Sequence, residues 1–105
     1  TLMEKIMKLV SVSPMMQTEI SRRDGSKKVI YFNELTLSDG VDTIHGETSE
    51  TLTSQINSTD PNIKLQLVQG ALYMVRFNIN SSEYEKDGKK NYFVRINIHQ
   101  MYKMA

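Results

Sequence analysis

The chain has 105 residues, 39% hydrophobic and 24% charged, with no cysteine and a net charge of +1. That length suits one domain spanning 1–105 with a modest core, and the composition excludes a disordered chain, a disulfide framework and a thiolate metal site. No apolar run approaches the ~18 residues of a membrane span. The opening TLMEKIMKLV lacks a secretory signal's apolar core and cleavage site, so the expected location is cytoplasmic.

Residues 3–13 form the first strand candidate, which Pro14 bends, and residues 15–21 continue it. Arg22-Arg23-Asp24-Gly25-Ser26-Lys27 is a turn, because Asp-Gly supplies the positive φ angles of a tight hairpin. Residues 28–37 return as one strand, Ser38-Asp39-Gly40 turns again, and residues 42–46 make a short third strand. Residues 48–56 read as a weak helix: Thr48 caps it, Glu50 suits its first turn, and Leu52 and Ile56 share a face. Residues 57–62 are a loop containing Asp60-Pro61, and residues 65–70 connect to the last hairpin.

That hairpin pairs residues 71–80 with 91–102 around Asp87-Gly88. Tyr73, Val75, Phe77 and Ile79 alternate with Met74, Arg76 and Asn78, while Tyr92, Val94, Ile96 and Ile98 alternate with Phe93, Arg95, Asn97 and His99. Period-two alternation means one buried face and one wet face. A two-residue turn sets Phe77 opposite Ile98, Ile79 opposite Ile96 and Arg76 opposite His99, so the apolar faces coincide. Tyr92 then belongs to the packing face and Phe93 to the wet one. Tyr31 and Phe32 point to opposite faces, and one of them is core.

Charge is unevenly spread. Residues 29–63 hold no Lys or Arg but six acids: Glu34, Asp39, Asp42, Glu47, Glu50 and Asp60. Cations gather at the two hairpin tips, so any anion-binding surface is local.

Hairpin, third strand, helix, hairpin is the order of a mainly all-β, five-stranded OB-fold-like Greek-key barrel with a short helix or loop between strands 3 and 4. The two loops that flank its binding face fall on the two basic tips. A flexible nucleic-acid strand needs cations for phosphates and flat rings for bases. Arg22, Arg23, Lys27, Lys28, Arg76, Lys86, Lys89, Lys90 and Arg95 offer the cations; Tyr31, Tyr84 and Phe93 offer the rings.

The stretch LVQGALYMVRFNINSSEYEKDGKKNYFVRINIHQMYKM resembles the C-terminal half of bacterial-type single-stranded DNA-binding proteins. The shared pattern is a hydrophobic-x-x-Gly connection (Leu67 to Gly70), a strand, a long basic Asp-Gly hairpin and an aromatic-led final strand. Members of that family often stack bases on tryptophan, which this chain lacks. The resemblance implies a divergent member that binds single-stranded DNA without strong sequence preference, as a dimer or tetramer. Free strand edges point to oligomers as well. RNA stays open, because nothing in the sequence reads a 2′-hydroxyl. The alternative is a protein-interaction module of a replication or DNA-transfer complex, in which the acidic stretch from Glu34 to Glu50 meets a basic replication protein.

Catalysis finds little footing. There is no cysteine nucleophile and no Gly-rich phosphate loop, and His45 and His99 are the only histidines. Asp42, His45 and Glu47 are the nearest thing to a metal cluster, but Asp42 and His45 face opposite ways on one strand. The expectation is no enzyme, no metal and no cofactor.

Overall fold

Alternating apolar residues decide which strand faces close on one another. The computed structural model describes residues 2–104. In chain order these form β1 (Met3–Val12), β2 (Met16–Ser21), β3 (Lys27–Phe32), β4 (Glu34–Ser38), β5 (Thr43–Thr48), α1 (Glu50–Ile56), β6 (Leu72–Lys86) and β7 (Lys89–Lys103). The protein is mainly β. Five strands in the order β1-β4-β5-β7-β6 close into a ring, and β2 and β3 stand apart as a two-stranded arm. The ring closes where β6 returns antiparallel to β1, with Met3 opposite Phe77. β5 meets β7 in parallel, with Glu47 opposite Asn97 and Thr48 opposite Ile98.

Met7, Leu9, Leu35, Leu37, Tyr73, Val75, Phe77, Ile98 and Met101 form the buried core of the ring, joined by Leu52 and Ile56 of α1. Burial of such a side chain stabilises the fold by about 1.5–3 kcal/mol. Gly46 is required by that packing. A Cβ there would lie 2.7 Å from Ile98 Cδ1 and 2.9 Å from Cγ1, and Ile98 is fully buried with nowhere to move.

The return strand expected over 28–37 is broken at Asn33, which is 2% exposed. Asn33 makes four hydrogen bonds to three residues. Its N–H donates to Thr48 Oγ1 (2.8 Å) and its carbonyl accepts from the Thr48 N–H (3.0 Å). Its Nδ2 donates to the Ser13 carbonyl (3.0 Å), and its Oδ1 accepts from Asn57 Nδ2 (2.8 Å). Thr48 is therefore committed to this node and does not cap the helix. Ser49 does, accepting from the Leu52 N–H at 3.2 Å. The Thr48 hydroxyl sits 2.6 Å from Thr53 Oγ1, which in turn donates to the Ser49 carbonyl at 2.7 Å.

The last hairpin is longer than expected, fifteen residues on each strand. Its turn has the two residues the sequence suggested: Lys86 pairs with Lys89, and Asp87 and Gly88 both take positive φ (53° and 73°). Phe77 faces Ile98 and Ile79 faces Ile96, as expected, but a bulge then shifts the register. Arg76 stands opposite Gln100 rather than His99. The extra residue lets Ile98 and Met101, three apart, both turn inward. Beyond Ile79 the hairpin overhangs the ring. Tyr92 and Val94, expected in the packing face, are 67% and 61% exposed because no strand lies beneath them.

The turn between β4 and β5 is tied to β1. Lys5 pairs with the Asp39 carboxylate, which also accepts from the N–H groups of Asp42 (2.7 Å) and Val41 (2.8 Å). The Lys5 hydrogen bond first, then these backbone donors, hold the Asp39 carboxyl well below the ordinary carboxylate range.

Asn33→Ala leaves the Ser13 carbonyl without its donor in a part-buried site, and should destabilise the protein by about 2 kcal/mol in urea unfolding. Asp39 has a depressed folded-state pKa, so its contribution is complete above about pH 4 and fades as the pH falls below that. The urea midpoints of wild type and Asp39→Asn should therefore converge on acidification; midpoints that stay equally separated from pH 7 to pH 2 would contradict this.

Candidate nucleic-acid interface

On the overhanging hairpin, even-numbered residues of β6 share the outer face with odd-numbered residues of β7. Ser82 pairs with Phe93, Asn80 with Arg95, Tyr84 with Asn91 and Lys86 with Lys89. This places Lys86, Lys89, Tyr84, Phe93 and Arg95 on one face. The Tyr84 and Phe93 rings lie 5.8 Å apart, tilted by 53°, and Arg95 Cζ sits 5.5 Å from the Phe93 centroid. These are the distances of a favourable aromatic pair and of a cation over a ring. Lys90 falls on the opposite face, 3.4 Å from Glu83, and so leaves the strip.

The arm presents the second basic tip. Arg23, Asp24 and Gly25 form a three-residue loop, closed by a hydrogen bond from the Arg22 N–H to the Ser26 carbonyl (2.8 Å). Asp24 is occupied within the loop, accepting from the Ser26 N–H (2.9 Å) and hydroxyl (2.6 Å), bonds that lower its pKa. Arg22 and Arg23 form no ion pair among the described residues, whereas Lys27 lies 3.3 Å from Glu19. Lys28, Ile30 and Phe32 share one face of the arm. That alternation leaves Tyr31 on the other face, about half exposed, while Phe32 is the more buried of the pair.

Between the arm, the start of α1 and β7 runs a cleft of about 470 Å³. Lys28 and Tyr31 border it from the arm, Arg95 and Asn97 from β7, and Glu47 and Glu50 from the remaining wall. The outer face of the ring continues this acidic character. Glu34 stands directly opposite Glu47 in the β4–β5 ladder, and both border a second hollow with His45 and Arg95.

Not every residue singled out from the sequence is available for a ligand. The Arg76 guanidinium is engaged: Nη1 donates to Gln100 Oε1 at 2.9 Å, and Nε lies 2.9 Å from Glu4 Oε1 at an angle that misses a hydrogen bond. His99 is bonded to Asn78, and His45 Nδ1 lies 3.0 Å from Thr36 Oγ1. Arg22, Arg23, Lys28, Lys86, Lys89 and Arg95 are the site cations that form no ion pair among the described residues. Sequence reasoning missed Glu4 as the partner of Arg76, because that contact exists only once β1 closes on β6. It also missed Asn97 as a cleft residue, although its place beside Arg95 on the wet face was readable.

Among the described residues no three or more His, Asp or Glu gather as a metal site, and no helix is long and apolar enough to cross a membrane. Compared with known proteins, the chain matches no family model and no curated sequence.

Proposed function

We propose that this is an OB-fold protein that binds single-stranded DNA without strong sequence preference. The ring order supports the fold: counting only ring strands, it runs first, second, third, fifth, fourth and back to the first, with a helix after the third. The observation that carries the function is the Tyr84–Phe93–Arg95 strip with Lys86 and Lys89 on the same face. Every base has a flat face, so such rings stack bases whatever the sequence, while the cations hold phosphates. Two lysines directly opposite at the turn repel each other, a local cost that a bound polyanion relieves. Arg22, Arg23 and Lys28 extend the cationic path along the arm. The mechanism is equilibrium binding, with no chemical step, and nothing on this surface reads a 2′-hydroxyl to select DNA over RNA.

A second reading rests on the acids. Glu34, Glu47 and Glu50 interrupt the basic path between the arm and the hairpin. A basic replication protein fits that stretch better than a phosphate backbone does, and in that reading the protein is an interaction module.

Anisotropy of a labelled oligothymidine, titrated at several salt concentrations beside an equal-length duplex, separates the two. On the DNA reading the single strand binds more tightly than the duplex. Six unpaired cations then set a log–log salt slope no steeper than about −4. Phe93→Ala should weaken binding about tenfold or more, as loss of one stacking ring does. Lys89→Glu should weaken it too. Glu47→Gln should tighten it, by removing a like charge from the path. No binding at low salt would overturn the DNA reading and favour the protein partner.

A further inference from the structure

One end of the ring is covered and the other is open. β5 runs from Thr43, beside the Asp39–Asp42 turn, to Thr48, just before α1. Leu52 and Ile56 of α1 join the core at that second end. Among the described residues no helix covers the turn end. Met3, Ile44, Phe77, Ile79 and Ile96 line a hollow of about 290 Å³ there. Phe77 is buried, whereas Met3 and Ile79 are 40% and 50% exposed. The hollow continues onto the hairpin face that has core parity but no cover. Ile79 pairs with Ile96, Ser81 with Val94 and Glu83 with Tyr92, so an apolar strip runs on through the exposed Val94 and Tyr92. A contiguous apolar strip of this kind marks an interaction site more often than a solvated surface.

The charges along this strip leave one sign unbalanced. Lys5 is paired with Asp39, Lys90 with Glu83, and Glu4, at the rim of the hollow, with Arg76. Asp42 at the mouth and Glu85 beyond Tyr92 form no ion pair among the described residues. We propose that the open mouth is a docking site for a basic segment of a partner protein. The segment seats one large apolar side chain in the hollow and sets lysine or arginine against Asp42 and Glu85. Pockets for whole small ligands start at roughly 300 Å³, so this hollow suits a single anchoring side chain. Ile79 and Glu85 are six residues apart on one strand, roughly 20 Å, which a short extended segment spans. The unpaired acids at both ends repel an acidic segment. The site lies at the other end of the ring from α1, and on the other face of the hairpin from Tyr84, Phe93 and Arg95. The inference depends neither on the DNA reading nor on the acidic cleft.

Amide chemical shifts of the full chain, titrated with capped Lys-Lys-Phe-Thr-Val-Thr-Lys-Lys up to roughly 1 mM, test it. Saturable shifts should gather at Met3, Ile44, Ile79 and Ile96. A peptide with Glu for every Lys, and one with Ala for Phe, should each bind at least about tenfold more weakly. Asp42→Lys, on an exposed turn, and Ile79→Ser, at a half-exposed position, should weaken the basic peptide by a similar factor with unchanged circular dichroism. The proposal is overturned by the absence of saturable shifts, by equal binding of the acidic or alanine peptide, or by two variants that bind like wild type. Shifts gathered around Glu47 and Glu50 would move the basic partner to the cleft and overturn it as well. Concentration-dependent shifts at the mouth without peptide would assign the face to a second copy, with the same consequence.

Discussion

A single buried asparagine holds together the parts on which everything else is built. Asn33 is enclosed by the end of β1, the end of β5 and the last turn of α1, and each contributes a hydrogen-bond partner. A buried amide is tolerated only when its groups are satisfied, and here the backbone and side chain both are. The satisfied geometry decides three things together: where the ring ends, where the arm leaves it, and which residue is left to cap α1. Ser13 repeats the logic from the other side, its N–H bonded to the Glu34 carbonyl (2.9 Å) and its hydroxyl accepting from the Glu34 N–H (2.8 Å). The arm therefore springs from a fixed base, and beyond that base β3 packs against α1.

The long hairpin extends the same construction at the other side of the ring. Its inner segment is core sheet, locked by Phe77 and Ile98. Its outer segment keeps the pairing and the alternation but loses the layer beneath, so both faces meet solvent. One face carries the tilted Tyr84–Phe93 pair and a group of cations. The other keeps Ile79, Val94 and Tyr92, whose parity belongs to a core that does not reach that far. With a net charge of only +1, the proposed attraction for a polyanion rests on this local arrangement and not on the molecule's overall field. The acids shape that field as well: Glu47 and Glu50 line the cleft beside Lys28 and Arg95, and Glu34 borders the second hollow.

Period-two alternation is a local property of the chain, and it was enough to locate the last two strands and to pair Phe77 with Ile98. Positive φ at Asp87 and Gly88 needs only those two residues, so that turn was legible too. The face shared by Tyr84, Phe93 and Arg95 follows from the same parity once the turn length is known. What tertiary structure alone decided lies wherever a side chain's partner is remote. The chain could not announce that Asn33 would interrupt an apparently continuous strand, because its ligands come from Ser13, Thr48 and Asn57. Nor could it show that Arg76 would be spent on Glu4 and Gln100, or that a bulge would turn Met101 inward. Tyr92 is the plainest case: alternation correctly assigned its face, but whether a face is buried depends on whether another layer covers it, and only the closed ring determines how far that cover extends.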